Sequence, residues 1–215
     1  MVTTAMAVRA EKKQQVNRNI CNAALRLCRT KGYSGVSLRE ICREAGIAPP
    51  TFYNYYPNLE ELGLAIIDEA GLTLRRLMRQ TWKEVDVREG VVRRTIRVFG
   101  RYLEENGDLF HFVAAERVGR VQAFRDAIER EVKHVVEAMA KPLAEVGATT
   151  GRPIAHPLYL SEMLVNCAFQ AGVESLSANT EKRNEIIERT IIQARMAIYG
   201  SEVMAKGAVT SVSAE

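Results

Sequence analysis

Apolar residues recur at helical spacing along almost the whole chain, and this periodicity constrains the fold more than any other feature of the sequence. One such stripe lies on the first predicted helix and consists of Val16, Ile20, Ala24 and Leu27. Its spacing of four, four and three residues places these side chains on one face of an α-helix. No stretch shows the sustained alternation of apolar and polar residues that is typical of a β-strand. The sequence therefore predicts an all-α protein.

Glycine and capping residues set the predicted helix boundaries. The first helix is expected from about residue 9 to 31 and ends at Gly32. Ser37 and Glu40 then form a capping box, in which each side chain accepts a hydrogen bond from a free backbone amide. Later helices are predicted at about 37–45, 50–56, 58–85, 89–105, 108–117, 121–147, 156–178 and 181–204. Residues 205–215 are small and polar, and we expect them to form a disordered tail.

Positive charge is concentrated at the start of the chain. Residues 1–58 hold nine Lys and Arg against three Asp and Glu, a net charge of +6. Residues 59–215 hold 21 against 23, a net charge of −2, so the whole chain carries +4. This asymmetry indicates a segment that binds a polyanion, joined to a nearly neutral body. A solvated basic surface without a partner is the alternative.

Composition argues against membrane and secreted proteins. With 47% hydrophobic and 26% charged residues, the chain has the composition of an ordinary globular protein. No uncharged run approaches the roughly 18 apolar residues that a membrane span requires. No apolar segment follows the N-terminal bases, as it would in a secretory signal. We therefore expect a cytoplasmic protein with no membrane partner.

Metal-binding and catalytic patterns are also missing from the sequence. Its four cysteines, Cys21, Cys28, Cys42 and Cys167, contain no C-x-x-C pair, and its three histidines, His111, His134 and His156, lie far apart. Reduced and mostly buried thiols are the expected state of the cysteines. No G-x-S-x-G motif, P-loop or dinucleotide fingerprint is present. We expect no metal, no cofactor and no enzymatic activity.

The most informative segment runs from residue 37 to 56. Two short predicted helices are joined there by a turn at Gly46, with apolar residues spaced to pack the helices together. This pattern is typical of a helix-turn-helix, whose second helix enters the major groove of DNA. Thr51 and Asn54, three residues apart on that helix, are small hydrogen-bonding residues able to contact bases. The candidate DNA-binding residues are Ser37, Arg39, Arg43, Pro49, Pro50, Thr51, Tyr53, Asn54 and Tyr55.

Basic and aromatic side chains flank these two candidate readers. Arg39 and Arg43, one turn apart, can face the DNA backbone, and Tyr53 and Tyr55 can reach phosphate oxygens. Core packing is the alternative for an aromatic-rich helix. However, residues 52–56 include four aromatics, and these cannot all be buried on so short a helix.

The run from Ser37 to Tyr56, followed by the apolar Leu62, resembles the TetR family of bacterial one-component repressors. Within that family the chain is most similar to the repressors of unsaturated fatty-acid synthesis, the FabR and DesT type. The stretches that carry this similarity are residues 43–49, 61–64, 68–80, 116–117 and 123–125. The resemblance implies a three-helix DNA-binding domain on a larger helical body. It also implies a homodimer formed by the last two long helices, a palindromic operator, and regulation by an acyl thioester such as acyl-CoA.

The chain departs from the family pattern at several DNA-facing positions. Pro50 stands where many members have glycine, Ala48 where they have a base-reading residue, and Leu59 where they have a lysine that contacts phosphate. Asn54 and Tyr55 replace a basic pair of the fatty-acid repressors. The resemblance therefore leaves the operator sequence open.

Two sets of residues are candidates for the functions of the helical body. Apolar stripes on the last two long helices are a candidate dimer seam, with packing inside one chain as the alternative. They consist of Leu160, Leu164, Cys167 and Ala171, and of Ile187, Ile191, Ala194 and Ile198.

The resemblance to acyl-thioester sensors implies an apolar pocket, although core packing would equally explain its residues. The candidate ligand-binding residues are Met78, Phe99, Tyr102, Leu103, Phe112, Phe124 and Met163. Arg75, Arg76 and Arg79 either meet the phosphates of a CoA moiety or form an exposed helical face.

Together these observations predict a helix-turn-helix DNA-binding domain at residues 1–57 and a ligand-binding and dimerisation domain at 58–204, followed by the tail. The predicted protein is a repressor that binds double-stranded palindromic DNA as a homodimer. Its predicted effector is hydrophobic, an acyl-CoA or related acyl thioester that controls fatty-acid synthesis genes. The alternative is a TetR-type repressor of an efflux or catabolic operon that senses another small hydrophobic ligand.

Overall fold

The computed structural model describes residues 2–83 and 91–212, and these ranges contain helices and no strand. The helices are α1 (Val2–Lys31), α2 (Leu38–Ala45), α3 (Pro49–Tyr53), α4 (Leu59–Lys83), α5 (Val91–Glu105), α6 (Gly107–Glu116), α7 (Gln122–Thr149), α8 (Pro157–Ser175) and α9 (Thr180–Val212). A 3-10 turn at Tyr33–Gly35 follows α1. The predicted all-α class is confirmed. The predicted helix ends near residues 85 and 89 lie outside the described residues.

Two helices are longer than the sequence predicts. Helix α1 begins at Val2 and not near residue 9, and α9 continues to Val212 through most of the segment expected to be a disordered tail. Ala205 and Lys206 have high helix propensity, which favours continuation of α9 beyond residue 204. Residues 213–215 lie outside the described part of the chain.

The chain divides into two compact units. Unit 1 comprises residues 1–69 and 108–128, and unit 2 comprises residues 70–107 and 129–215. Unit 1 therefore contains α1, α2, α3, α6, and parts of α4 and α7. Its core is formed by side chains that include Ile20 and Ala23 of α1 and Phe52 of α3, all fully buried.

Gly63 of α4 makes room for an aromatic cluster in unit 1. A Cβ atom at this position would lie 2.3 Å from Cζ of Phe124, so the ring occupies the space that a side chain would need. Tyr33 and Phe112 pack edge-on against Phe124, with ring centroids 4.7 and 5.7 Å away. Both Phe112 and Phe124 are buried. The cluster joins α4, α6, α7 and the turn after α1 into one core.

Unit 2 is built on α5, α8 and α9, which pack against one another, with α7 alongside. Met139 and Leu143 of α7 and Leu160 of α8 are buried together, and the partly buried Met78 of α4 packs against them. Arg75 of α4 forms a largely buried ion pair with Glu131 of α7. These contacts hold the second part of α4 within unit 2.

The apolar stripes predicted as a dimer seam lie largely inside unit 2. Leu160, Ile191 and Ala194 are buried, and Leu164 and Ile198 pack against the Met139 cluster. For these five positions the alternative, packing within one chain, is correct, because α8 and α9 turn them towards neighbours in the same chain. Cys167, Ala171 and Ile187 are partly exposed, and their place in a dimer seam stays a prediction.

Within the described residues, none of the helices combines the length and the apolar character that a membrane span requires.

Candidate nucleic-acid interface

Local hydrogen bonds fix both ends of α2. The Ser37 backbone amide donates to Oε2 of Glu40 at 3.0 Å, and the Glu40 amide donates to Oγ of Ser37 at 3.3 Å. Gly46 ends the helix with φ 68°, a left-handed conformation that glycine adopts without steric cost. The capping box and the turn are thus confirmed. Ile41 and Cys42 are buried, so α2 is anchored by one face.

Helix α3 is shorter than predicted and begins one residue earlier. It spans Pro49–Tyr53 instead of residues 50–56, and Asn54 is its C-cap residue. Proline is favourable at the first helical positions, because the amide it lacks would have no partner within the helix. Ala48, the N-cap residue, provides no side-chain hydrogen bond. The first turn of α3 is therefore uncapped by any side chain.

The four aromatic residues after Thr51 divide between the core and the surface. Phe52 is fully buried, and Tyr56 is buried with its hydroxyl donating to Oδ1 of Asn17 at 2.6 Å. Tyr53 is 58% exposed, and Tyr55 is partly exposed. The expectation that these rings cannot all be buried is confirmed. Phe52 fixes α3 in the core and Tyr56 bonds the segment after α3 to α1, while Tyr53 is available to a partner.

The candidate DNA-binding residues lie mostly on the surface of unit 1. The exposed ones are Ser37, Arg39, Arg43, Pro49, Pro50, Tyr53 and Asn54, and the partly buried ones are Thr51 and Tyr55. Arg39 and Arg43 lie one turn apart on α2, opposite the buried face. Neither guanidinium forms an ion pair with an acid in the described ranges. The helix-turn-helix thus presents two uncompensated positive charges beside α3.

Three other bases of this segment are neutralised within unit 1. Arg26 pairs with Glu44 of α2 at 3.1 Å, and Arg29 pairs with Asp108 of α6 at 2.7 Å. Lys31 pairs with Glu40. Sequence reasoning could not find the Arg29–Asp108 pair, because its partners are 79 positions apart and no local pattern relates them.

The carboxyl group of Glu40 links the fold of α2 to pH. Hydrogen bonds from Lys31 and Ser37 lower the pKa of Glu40 from 4.5 to about 2. A carboxyl group whose pKa is lower in the folded state stabilises that state above its unfolded pKa. We therefore expect this contribution to be present at neutral pH and to disappear as the pH falls from about 4.5 to about 2.

Glu40→Gln tests this linkage. The unfolding midpoint of the variant in urea should fall below that of the wild type at pH 7, and the difference should vanish near pH 2. Glu11→Gln, an exposed position on α1, serves as the control and should leave the midpoint unchanged throughout. A wild-type to Glu40→Gln difference that is equal at pH 7 and pH 2 would contradict the account.

A second exposed surface lies on α8 and α9 in unit 2. On α9 the exposed apolar residues follow a spacing of four, three and four, which is one helical face. We call the exposed face of the two helices the outer stripe; its apolar members are Tyr159, Met163 and Val173 of α8, and Ile192, Met196, Tyr199 and Val203 of α9. The side chains of Met196 and Tyr199 are 69% and 65% exposed. Large apolar side chains exposed along one helical face are typical of an interaction site.

The candidate ligand-binding residues are divided between the two units. Phe112 and Phe124 belong to the aromatic cluster of unit 1, while the other five lie in unit 2. Met78 is partly buried, and Met163 is 55% exposed on the outer stripe. The remaining three, Phe99, Tyr102 and Leu103, lie partly buried on α5.

A further residue on α5 went unnoticed in the sequence. Oγ1 of Thr95 is buried and has no hydrogen-bond partner in the described part of the chain. Thr95, Phe99 and Tyr102 follow a spacing of four and three and so share one face of α5. Buried hydroxyl groups normally find a partner, so an unpaired one calls for an explanation. Nothing in the sequence pattern of α5 distinguishes this threonine.

The described residues contain no group of three or more His, Cys, Asp or Glu side chains positioned to hold a metal ion. Among the candidate CoA-binding arginines, Arg75 is engaged by Glu131, whereas Arg76 and Arg79 are exposed.

Comparison with known families relates this geometry to a defined domain. Residues 20–66 match the family model described as bacterial regulatory proteins, tetR family. The matched range begins within α1, contains the whole of α2 and α3, and ends within α4. It therefore includes the helix-turn-helix predicted from the sequence.

Solved structures share the fold of a larger part of the chain than the family model covers. A TetR-family transcriptional regulator from Syntrophomonas wolfei matches with a TM-score of 0.73 and 16% identity, covering 86% of this chain and 96% of the other. The fatty acid degradation regulator FadR from Bacillus halodurans matches with a TM-score of 0.71 and 17% identity, covering 82% and 94%. FadR from Bacillus subtilis, solved in complex with stearoyl-CoA, matches with a TM-score of 0.71 and 17% identity. The match covers 85% of this chain and 98% of the other. At these identities the likeness shows a common fold.

Proposed function

We propose that this protein is a transcriptional repressor that binds a palindromic DNA operator as a homodimer. The observation that carries the proposal is the construction of the helix-turn-helix. Phe52 and Tyr56 anchor α3 to the core, while Tyr53 and Asn54 stay exposed beside the unpaired Arg39 and Arg43 of α2. A surface that is polar, positive and rigidly supported suits the DNA major groove and its phosphates.

The residues of this surface have distinct roles in the proposal. Thr51 and Asn54 read base edges, whereas Arg39, Arg43 and Tyr53 contact phosphates and fix the register of α3 on the duplex. Residues 1–57 form the DNA-binding domain, and residues 58–204 form the ligand-binding and dimerisation domain. The protein acts on the chromosome in the cytoplasm and catalyses no reaction.

Replacing the two candidate readers tests the assignment of roles. Thr51→Ala and Asn54→Ala should each reduce the preference for the operator over altered operators, by about 1–3 kcal/mol for a well-formed base contact. Arg39→Gln and Arg43→Gln, the matched controls, should weaken binding to all duplexes alike. Fluorescence anisotropy on the promoter upstream of the gene for this protein, and on single-base variants of it, measures both effects. Equal weakening on every duplex by Thr51→Ala and Asn54→Ala would contradict their role as readers.

The outer stripe supports a homodimer formed by α8 and α9. Methionine and tyrosine are enriched at protein interfaces, and the stripe exposes Met163, Met196, Tyr159 and Tyr199. A two-fold axis between two copies of this stripe would pair four helices in a bundle. Two-fold symmetry in the protein then requires two-fold symmetry in the operator.

The proposed effector is an acyl-CoA or a related acyl thioester. Three observations support it: the structural likeness to FadR bound to stearoyl-CoA, the resemblance to the repressors of unsaturated fatty-acid synthesis, and the α5 face. On that face Phe99 and Tyr102 supply apolar surface, and the unpaired hydroxyl of Thr95 can donate to a carbonyl. Met78 and Leu103 extend the apolar lining.

Regulation requires the effector to bind one conformation of the repressor more tightly than another. A ligand with equal affinity for the DNA-binding and the non-binding spacing of the two α3 helices would change nothing. The measurement is operator affinity with oleoyl-CoA or palmitoyl-CoA added. We expect either to change it, and Thr95→Val to reduce the response while leaving affinity without effector unchanged. No response to either, with a response to an unrelated hydrophobic compound, would favour a repressor of an efflux or catabolic operon.

A further inference from the structure

The first turns of α1 extend beyond the packed part of unit 1. Residues 40–56 contact α1 in reverse order along its length. Lys31, near the C-terminal end of α1, pairs with Glu40; Arg26 pairs with Glu44; and Asn17, nearer the N-terminal end, bonds Tyr56. Every residue from 8 to 15 is exposed. We call residues 8–15 the overhang. Helices α2 and α3 thus cover α1 only from about residue 17 onwards.

The overhang continues the face of α1 that packs on the core, but with bases in place of apolar residues. Arg9 and Lys13 precede Val16 and Ile20 at a spacing of four, three and four residues, which keeps all four on one side of the helix. Lys12 lies beside them. The only acid of the overhang, Glu11, lies on the opposite side by the same helical geometry. The face that supports the helix-turn-helix therefore continues past α3 as a stripe of three positive charges.

These three charges have no acidic partner within the described chain. The bases of residues 1–58 number nine, and three of them, Arg26, Arg29 and Lys31, are paired inside unit 1. Arg9, Lys12 and Lys13 form no ion pair with a described residue. A uniform group of exposed bases on one helix face suits a polyanion, because each released counterion contributes to binding.

The position of the three basic residues of the overhang indicates which polyanion they bind. At a rise of about 1.5 Å per residue, Lys13 lies about 6 Å and Arg9 about 12 Å along the axis of α1 beyond Asn17, which bonds Tyr56 just after α3. Charges placed one after another beyond α3 match a phosphodiester backbone that continues beyond the bases α3 contacts. We propose that the overhang binds the DNA phosphates flanking each operator half-site through Arg9, Lys12 and Lys13. This inference rests on the proposed function and adds a second DNA contact to it.

The dependence of DNA affinity on salt concentration and on duplex length tests whether the overhang contacts phosphates. In the triple variant Arg9→Gln, Lys12→Gln, Lys13→Gln, the slope of log affinity against log salt should become shallower. The expected change is about 0.9 per lost phosphate contact, hence about 2.7 for each protomer bound. Shortening the duplex at both ends should weaken the wild type and leave the triple variant unaffected. The variant Lys133→Gln, Lys141→Gln, Lys206→Gln has the same net charge, changes exposed lysines of unit 2, and should behave as the wild type.

Each outcome of this experiment has a distinct meaning. Equal salt slopes for wild type and triple variant, together with equal loss on duplex shortening, would overturn the inference and leave the proposed function intact. Failure of the wild type to bind its promoter at any salt concentration would overturn the proposed function itself. Loss of binding to phosphatidylserine vesicles by the triple variant, with operator binding unchanged, would also overturn the inference and assign the stripe to a membrane surface. Because the overhang packs against nothing described, circular dichroism should show the same helix content and melting temperature for all variants.

Discussion

The double variant Met196→Glu, Tyr199→Glu should be a monomer with greatly reduced operator affinity. Both side chains lie on the outer stripe, are more than half exposed, and would be buried against a second copy of the chain. Two carboxylates in an apolar interface must be desolvated without a partner, which strongly disfavours association. A monomer contacts one half-site and loses the gain from binding two linked sites, which is about 10²–10⁴-fold.

The control for this prediction places the same charge elsewhere. Ala148→Glu with Ser177→Glu changes two exposed positions outside the outer stripe and adds the same two negative charges. Sedimentation velocity should find a dimer for the wild type and for this control, and a monomer for the double variant at Met196 and Tyr199. A double variant that remains dimeric would remove the outer stripe from the account. One that becomes monomeric but keeps its affinity would contradict the linked half-sites.

Two adjacent aromatic residues of α3 should respond to truncation in opposite ways. Phe52 is fully buried, and Phe52→Ala should lower the free energy of unfolding by about 3–5 kcal/mol, because it removes a large core side chain and leaves a cavity. Tyr53 is 58% exposed, and Tyr53→Ala should change stability by less than about 0.5 kcal/mol. Urea unfolding followed by circular dichroism measures both.

Tyr53 is also expected to contribute to DNA binding. Tyr53→Ala should weaken binding to every duplex alike, because the ring contacts phosphate and reads no base. Tyr53→Phe, which retains the ring and removes only the hydroxyl, should show the same loss if the hydroxyl donates to the phosphate. Unchanged affinity for Tyr53→Ala would remove Tyr53 from the interface, whereas a large loss of stability would mean that the ring supports the fold.

Features that depend on residues close in sequence were predictable. The capping box of Ser37 and Glu40 and the turn at Gly46 involve partners at most four residues apart. Their hydrogen bonds form within one helical turn, so the residue types alone indicate them. The same locality makes the helix-turn-helix recognisable from Ser37 to Tyr56. The size of α3 also indicated that its aromatics could not all be buried, although it did not indicate which of them are.

Features that depend on which helices meet were not predictable in detail. Leu160 and Met163 both lie on α8 and both belong to helical stripes, but only the structure distinguishes the buried stripe from the exposed one. Periodicity shows that a helix has an apolar face and says nothing of what covers it. Likewise, Phe124 is an apolar residue on a predicted helix, and its place over Gly63 depends on the approach of α7 to α4.

The ends of helices were a further source of error. Helix α1 starts at Val2 because nothing in its first residues opposes a helix, although they lack the apolar stripe from which the prediction was made. That stretch includes the overhang, so the apolar pattern did not indicate the surface proposed to bind the phosphates that flank each half-site. Helix α3 ends at Tyr53, and the amides of Tyr55 and Tyr56 donate to the carbonyl oxygen of Phe52 in the turn that follows it.

A hydroxyl-radical footprint of the promoter upstream of the gene for this protein shows whether two copies of α3 bind symmetric half-sites. A dimer with two α3 helices in successive major grooves should protect two half-sites related by two-fold symmetry, with centres about one helical turn, or a multiple of it, apart. The monomeric variant at Met196 and Tyr199 should lose this paired protection at the same protein concentration. We expect the wild type to protect two symmetric half-sites. Uniform protection without symmetry, or no protection at concentrations that saturate nonspecific binding, would contradict it.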